Sequence, residues 1–341
     1  MKSISLFFRT CAVVALACCF CGCHGDKDKN TADHLTINFG HFPNISHVQA
    51  LVAHHLSRTG VGWYEERLSR ELGKPVKINW YTYNAGPGAM EALFARSIDL
   101  TYVGPSPAIN AFVKSGGSEV RIISGSAEGG AALVVRGDSP LKAPLDFKGK
   151  VVATPQLGNT QDVSCRAWFA DAGMQVTQSG GDVKILPTAN PEQLSLFRMG
   201  KLDGVWTVEP WVSRLELEAG GKVLVDERAA LVTVLASSSS FMSENPAVIA
   251  AVVKAHRELT EWIKSHPDEA QKIVVDEMGE LTHSKIDPEL VKNAWDRITL
   301  TADLDLLKLQ TFVKNAHRAG FMKTIPDVNG MVQVPSEESK K

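Results

Sequence analysis

Two stretches of this chain fall into register when the numbering is shifted by 104, and no other feature constrains the fold as much. Residues 90–117 read as a short helix, Ile98-Asp99, a strand ending at Tyr102, a proline turn, a helix and the pair Gly116-Gly117. Residues 194–221 read the same way: a short helix, Leu202-Asp203, a strand ending at Trp206, a proline turn, a helix and Gly220-Gly221. Asp99 matches Asp203, and Tyr102 matches Trp206. A small strand follows each glycine pair, over 120–123 and 222–225. Few residues are identical, so the match lies in the order of elements. It predicts two lobes of one design, each presenting a turn at the carboxyl end of a strand, where open α/β sheets bind ligands.

The rest of the chain fits that plan. Strands are expected over 34–39, 76–83 and 98–103, with helices over 48–57, 63–72, 89–95 and from Pro105 to Lys114. Alternation of this kind points to a parallel or mixed sheet covered by helices. Two apolar strands, 131–135 and 231–236, are natural crossings between the lobes. From Pro246 the pattern is helical, over 246–265, 267–278, 288–298 and 304–318. The first three of these begin with proline, which suits the first helical position. The polar stretch from Asp327 is expected to be a loose tail.

The stretch Thr154-Pro-Gln-Leu-Gly-Asn-Thr160 carries the clearest ligand signal. A short buried strand, 150–154, precedes it, and a helix over 161–172 follows. Asn159 or Thr160 is the N-cap, and Gly158 allows close approach of the backbone. The first-turn N–H groups of a helix have no intrahelical partner, and the dipole there favours negative charge. An ordinary capped turn would look the same, but similar turns recur elsewhere in the chain.

Cysteine usage separates the leader from the body. Of six cysteines, five lie in the first 23 residues: Cys11, Cys18, Cys19, Cys21 and Cys23. Cys165 alone remains in the body and reads as a buried thiol. Lys2 and Arg9 precede an apolar run over 11–20, too short to span a bilayer and laid out as a secretion signal. The run ends in Phe20-Cys-Gly-Cys23, which resembles a bacterial lipoprotein cleavage box. That resemblance implies a lipid-modified Cys23, with Cys18 second, and acyl chains holding the protein at a membrane. Residues 1–23 are then the signal and 24–33 a solvated tether.

Motifs for catalysis are missing. Every Gly-Lys pair is followed by Pro, Val or Leu, so no phosphate loop ends in Gly-Lys-Ser or Gly-Lys-Thr. No serine sits in a Gly-x-Ser-x-Gly elbow. His54 and His55 are adjacent and point to different helix faces, and no His-Glu-x-x-His pair occurs. A net charge of -2 argues against a nucleic-acid surface. No cofactor or metal is expected.

Binding is better supported. The turns His41-Phe-Pro-Asn44, Gly104-Pro-Ser106, Gln156-Leu-Gly-Asn-Thr160 and Trp206-Thr-Val-Glu-Pro-Trp211 should gather at one cleft. Ser106 and Thr160 offer hydroxyls beside backbone N–H groups, which suits a small oxyanion. Phe42, Tyr102 and Trp206 are placed to wall an organic portion, or to pack in the core. Candidate ligand residues are therefore His41, Phe42, Asn44, Tyr102, Gly104, Ser106, Gln156, Gly158, Asn159, Thr160, Trp206 and Glu209. Glu209 is awkward in an anion cleft. Either it pairs with a basic group across the cleft or hinge, or the ligand carries an amine. His41 or His47 is a possible positive group, or simply a satisfied turn histidine.

With these pieces assembled, residues 34–321 resemble the periplasmic substrate-binding proteins of ABC importers in the nitrate, sulfonate and taurine group. The matching pieces are Thr101-Tyr-Val-Gly-Pro-Ser-Pro107, Gly149-Lys-Val-Val-Ala-Thr-Pro155, Leu202-Asp-Gly-Val-Trp-Thr-Val-Glu-Pro-Trp211, and residues 246–270 with Trp262 and Pro267. The resemblance implies a two-lobed α/β fold of the type II periplasmic-binding kind, with a mixed sheet in each lobe and C-terminal helices on lobe one. Lobe one would hold 34–133 and 237–325, lobe two 134–236, and a loose tail 326–341. The implied ligand is a small oxyanion, an aliphatic sulfonate first and nitrate or taurine next. The implied partners are a membrane permease and its separate ATPase subunit, served by a monomer. An enzyme on the same framework, of pyrimidine-precursor or menaquinone-pathway type, and a ligand-sensing domain are the alternatives.

Overall fold

Strand 131–136 shows why this chain builds sheets covered on both faces. Ala132 and Val134 pack with Phe197 and Val205, while Leu133 and Val135 pack with Phe147 and Trp206. A two-residue period with both sets buried marks a central strand. The computed structural model describes residues 34–178 and 180–335, which fall within one compact unit. The expected signal, the lipid-box cysteines and the whole of the tether lie outside the described residues.

The chain opens with β1 (Leu35–His41), a 3-10 turn (Ile45–His47), α1 (Val48–Thr59) and α2 (Trp63–Leu72). Next come β2 (Val76–Thr82), α3 (Gly86–Phe94), β3 (Leu100–Val103), α4 (Pro105–Lys114) and β4 (Val120–Gly129). The chain then crosses over. It builds β5 (Ala131–Arg136), β6 (Val151–Thr154), α5 (Thr160–Asp171) and a small hairpin of β7 (Val176–Thr177) and β8 (Gly180–Gly181). β9 (Lys184–Pro187), α6 (Asn190–Arg198), β10 (Gly204–Val208), α7 (Trp211–Ala219) and β11 (Gly221–Asp226) complete this part. β12 (Leu231–Ser238) returns, followed by α8 (Ser239–Glu244), α9 (Pro246–Ser265), α10 (Pro267–Thr282), α11 (Pro288–Trp295), β13 (Ile298–Leu300) and α12 (Leu306–Arg318).

Two mixed sheets result. The larger runs β13-β4-β12-β3-β1-β2 and the smaller β11-β5-β10-β6-β9. β1 is parallel to β2 and β3, as β6 is to β9 and β10. In each sheet the strand beside that trio is antiparallel and arrives from the other half of the chain: β12 against β3, β5 against β10. The two lobes therefore share one strand order, as the repeat predicted.

The repeat extends to single hydrogen bonds. Asn38 N donates to Asp99 Oδ2 at 2.7 Å, and Asp99 N donates back to Asn38 O at 2.8 Å. In the other lobe Val151 N donates to Asp203 Oδ2, and Asp203 N to Val151 O, both at 2.9 Å. One aspartate thus clamps the incoming strand in each lobe.

The crossings lie a few residues ahead of the expected breaks at Leu133 and Ala236. Gly129 and Gly130, with φ of 75° and 72°, link β4 to β5. A Cβ at Gly129 would lie 2.3 Å from Arg297 O, so the position takes glycine on both counts. The return crossing pairs with the first: Gly129 N donates to Ala230 O, and Glu227 N to Ala131 O.

α9 and α10 pack on α2 and α1, on the larger sheet. α12 packs on α4 and also reaches α5 of the other lobe. The expected helix over 288–298 stops at Trp295, and Ile298–Leu300 becomes an edge strand on β4. The stretch from Asp327 is not a loose tail throughout. Val328 and Met331 are buried, Val332 bridges Ile122, and Gln333 N donates to Ile122 O, because the larger sheet leaves apolar surface there to cover.

Candidate functional site

The carboxyl ends of the parallel strands in both sheets face one small cavity of about 30 Å³. Beyond β1 it is lined by Phe42, Asn44, Ser46 and His47, beyond β2 by Asn84, Ala85 and Gly86, and beyond β3 by Gly104 and Pro107. From the other lobe come Pro155, Asn159, Thr160 and Gln161 beyond β6, Asn190 beyond β9, and Val208 at the end of β10. Val232 of β12 closes the wall. The starts of α3, α4, α5 and α6 and of the turn into α1 thus meet around it.

Local sequence sets this geometry. Asn159 caps α5, its Oδ1 accepting from Asp162 N at 2.8 Å. Asp162 holds the loop before the helix by accepting from Gly158 N and Thr154 Oγ1, and Arg166 neutralises it at 3.0 Å with both side chains fully buried. Gly158, at φ 75°, takes the left-handed conformation that this turn needs.

The polar wall is biased towards donors. Gln161 Oε1 accepts from Asn159 Nδ2 at 3.1 Å, which leaves the Gln161 amide as a donor. Asn190 Oδ1 accepts from Thr207 Oγ1 at 3.2 Å, with the same consequence. His47 Nδ1 accepts from Phe42 N, which places the proton on Nε2, and burial and the neighbouring His41 push its pKa well down, so it is neutral. Thr160 Oγ1 is buried and has no hydrogen-bond partner in the protein. No Asp, Glu, Lys or Arg lines the cavity among the described residues.

Of the residues singled out from sequence, Phe42, Asn44, Gly104, Asn159 and Thr160 come together on this wall. The others sit elsewhere. Tyr102 and Trp206 each lie two residues back from the cavity-lining position after or at the strand end, where helices cover the sheet. Tyr102 Oη bonds to Tyr64 Oη at 2.7 Å and to His256 Nδ1 at 2.9 Å, while Trp206 Nε1 donates to Glu227 Oε2 at 2.8 Å. His41 turns into the fold, with Nε2 2.9 Å from His54 Nδ1, and burial lowers its pKa to about 3. Ser106 is buried in the first turn of α4 with an unpartnered hydroxyl and does not line the cavity. Gln156 and Gly158 shape the turn before α5, Gln156 O accepting from Asn159 N.

Glu209 answers the charge question left open by sequence. Its Oε1 accepts from Arg297 Nη1 at 2.9 Å and from Ser213 Oγ at 3.0 Å, and its Oε2 accepts from Ser213 N at 3.0 Å. Burial pushes its pKa up to about 7, against the pull of Ser213 and Arg297. It is a structural ion pair between β10–α7 and the C-terminal region.

Sequence reasoning missed Ser46, Asn84, Ala85, Gly86, Pro107, Pro155, Gln161, Asn190, Val208 and Val232. A signal existed for two of them. The 104-residue offset carries Gly86 onto Asn190 and Gly104 onto Val208, and all four line the cavity. A larger groove of about 1450 Å³ opens near Arg96, Glu119, Arg121 and Ser239. It lies at the amino ends of the parallel strands, away from the converging helix starts, and is not the candidate.

The chain is 28% identical over 224 residues to the putative aliphatic sulfonates-binding protein of Bacillus subtilis (strain 168), covering 63% of each chain. The alkanesulfonate-binding protein SsuA from Xanthomonas axonopodis pv. citri, solved with MOPS bound, shares its fold at a TM-score of 0.69 and 18% identity, over 88% of this chain and 98% of that one. The periplasmic nitrate-binding protein NrtA from Synechocystis PCC 6803 also has a TM-score of 0.69, at 14% identity, over 86% and 83% of the two chains. These shared folds are of the periplasmic-binding-protein kind. The model of the NMT1-like family matches residues 31–276, well over half of the sequence, and the chain belongs to that family.

Proposed function

We propose that the protein is an extracytoplasmic solute-binding protein of an ABC importer. It captures a small oxyanion by closing two lobes over it and delivers it to a membrane permease with a separate ATPase subunit. An aliphatic sulfonate is the first choice of ligand, with nitrate or taurine next. The two lobes are taken to meet at the crossings between β4 and β5 and between β11 and β12. A lipid on Cys23 holds the monomeric protein on the outer side of the membrane. In keeping with this, no helix among the described residues is long and apolar enough to cross a membrane.

The observation that carries the reading is the wall of the cavity. It joins helix N-termini from both lobes to neutral side chains, among them the Gln161 and Asn190 amides whose oxygens are already engaged, and among the described residues it bears no formal charge. Preorganised neutral donors can replace the hydration of a monoanion without burying a countercharge. A guest that touches both lobes favours the closed form, because only differential affinity shifts that equilibrium. The relatives and fold neighbours named above are binding proteins, and the protein is read as non-catalytic.

Thermal unfolding with ethanesulfonate, nitrate and taurine tests the reading. A ligand at a hundredfold excess over Kd adds about 2.7 kcal/mol by mass action. No upward shift with any of the three at millimolar concentration would reject it.

A further inference from the structure

We propose that the end of α12 is a latch: Phe321 and Arg318 of lobe one clasp α5 of lobe two and hold the closed form, whatever the guest. The inference rests on the closure of two lobes read above and adds a contact that the guest does not make.

The latch is built from Arg318-Ala-Gly-Phe321. Gly320, at φ 77°, ends α12: Gly320 N donates to His317 O at 3.1 Å and Phe321 N to Ala316 O at 2.9 Å. These are the paired bonds of a glycine-terminated helix, and they fix where Phe321 leaves it. Its ring packs on the core that α4 and α12 share, and it also meets lobe two. A Cβ at Gly158 would lie 3.5 Å from the ring, and the Arg166 guanidinium carbon is 5.9 Å from the ring centroid. Arg318 donates to Asn315 Oδ1 at 2.6 Å and pairs with Asp171, the last residue of α5.

What Phe321 touches leads to the site. Arg166 holds Asp162, and Asp162 holds the turn that presents Asn159, Thr160 and Gln161 to the cavity. Arg166 is fully buried and its Nη2 has no hydrogen-bond partner, so the aromatic face supplies attraction where no acceptor does. Neither Phe321 nor Arg318 lines the cavity, so both are positioning residues that act through α5. The two faces of the larger sheet reach lobe two differently. Leu235 of β12 joins the core that contains α11, while Val234 and Ala236 join the core that contains α12. On the α11 side, Arg297 pairs with the fully buried Glu209. On the α12 side, both members of the Arg318–Asp171 pair are half exposed. A pair open to water separates at little cost, so the α12 side is the one that lets go when the lobes part.

Apparent affinity falls with the fraction of protein that can close, so weakening the latch weakens binding without touching the wall. Stopped-flow binding and calorimetry test this with whichever of ethanesulfonate, nitrate and taurine shifts the melt. Phe321→Ala is expected to weaken Kd about five- to tenfold, mainly through faster dissociation. Arg318→Glu is expected to weaken it about threefold, and Arg318→Glu combined with Asp171→Arg to restore it. The charge swap lies at half-exposed positions, so it reads the contact between lobes even if Phe321→Ala loosens the core. Small-angle scattering of ligand-free Phe321→Ala is expected to give a larger radius of gyration than the wild type. Unchanged binding in both single variants, or a charge swap that fails to restore it, would overturn the latch and leave the oxyanion reading standing. Silence from all three anions would overturn the oxyanion reading, and the scattering comparison would still judge the latch, identical curves counting against it.

Discussion

At Gly104 the two lobes meet beside the site, and alanine there isolates closure from folding. Its φ of -67° and ψ of 151° suit any residue, so alanine introduces no backbone strain. The added Cβ would lie 2.1 Å from Thr160 Oγ1 and 3.2 Å from Thr160 Cβ. Carbon and oxygen do not approach that closely, so one of two things happens. Either the lobes stay about 1 Å or more further apart, or Thr160 rotates its hydroxyl away. The first outcome is overpacking, which costs about 1–3 kcal/mol. The second removes a hydrogen bond to a charged guest, worth about 1.5–3 kcal/mol. Both predict a Kd for the preferred anion roughly 10–100-fold weaker.

Calorimetry reads the affinity, and urea melts without ligand read the stability. Gly104→Ala should leave the ligand-free melt nearly unchanged, because the contact joins the lobes rather than either core. Thr160→Ala removes the clashing oxygen along with the donor. The double variant should then bind no worse than Thr160→Ala alone, a non-additivity expected of touching residues. Wild-type affinity in Gly104→Ala, or multiplied losses in the double variant, would refute the reasoning.

Further outcomes follow from other contacts. Arg297→Met strands the buried Glu209 and should cost about 3–5 kcal/mol in a urea melt, and adding Glu209→Gln should recover much of that loss. His256, between Tyr102 Oη and Gly125 O, has its pKa lowered by burial from 6.5 to about 4. Below pH 6.5 the unfolded chain takes a proton that the folded chain refuses, so stability falls as pH drops towards 4, by about 1.4 kcal/mol per pH unit from this group. His256→Gln should flatten the pH dependence of the urea midpoint by that amount, and an unaltered slope would show that another group dominates.

Much of the fold was legible because its signals are local. Strand ends, proline turns and capping residues lie within a few positions of one another, and the Asp99 and Asp203 clamps repeat at the 104 offset. Thr160 and Asn159 were readable for the same reason: a cap is written in the turn it caps. Tyr102 and Trp206 were harder. Alternation tells which face of a strand a side chain takes, but not what covers that face. Their polar tips find Tyr64, His256 and Glu227, partners that only the packed helices and the return crossing supply. Glu209 is the plainest case, since its neutralising arginine lies 88 residues further on. Whether a buried carboxylate is compensated is a property of the packed molecule, and no window of sequence contains it.

The repeat also indicates where specificity arises. A shared architecture gives each lobe equivalent positions around the cavity, and a guest held between them meets both members of each pair. Gly86 lines the cavity from one lobe and Asn190 from the other; Gly104 pairs with Val208 in the same way. The small members let the opposite lobe approach, as the Gly104–Thr160 contact requires, and the larger members supply the donor and the apolar wall. Substitution at Gly86 or Gly104 should therefore act on closure, whatever the ligand. Substitution at Asn190 or Val208 should change which ligand is preferred, because those side chains meet the guest while the closing contact stays intact.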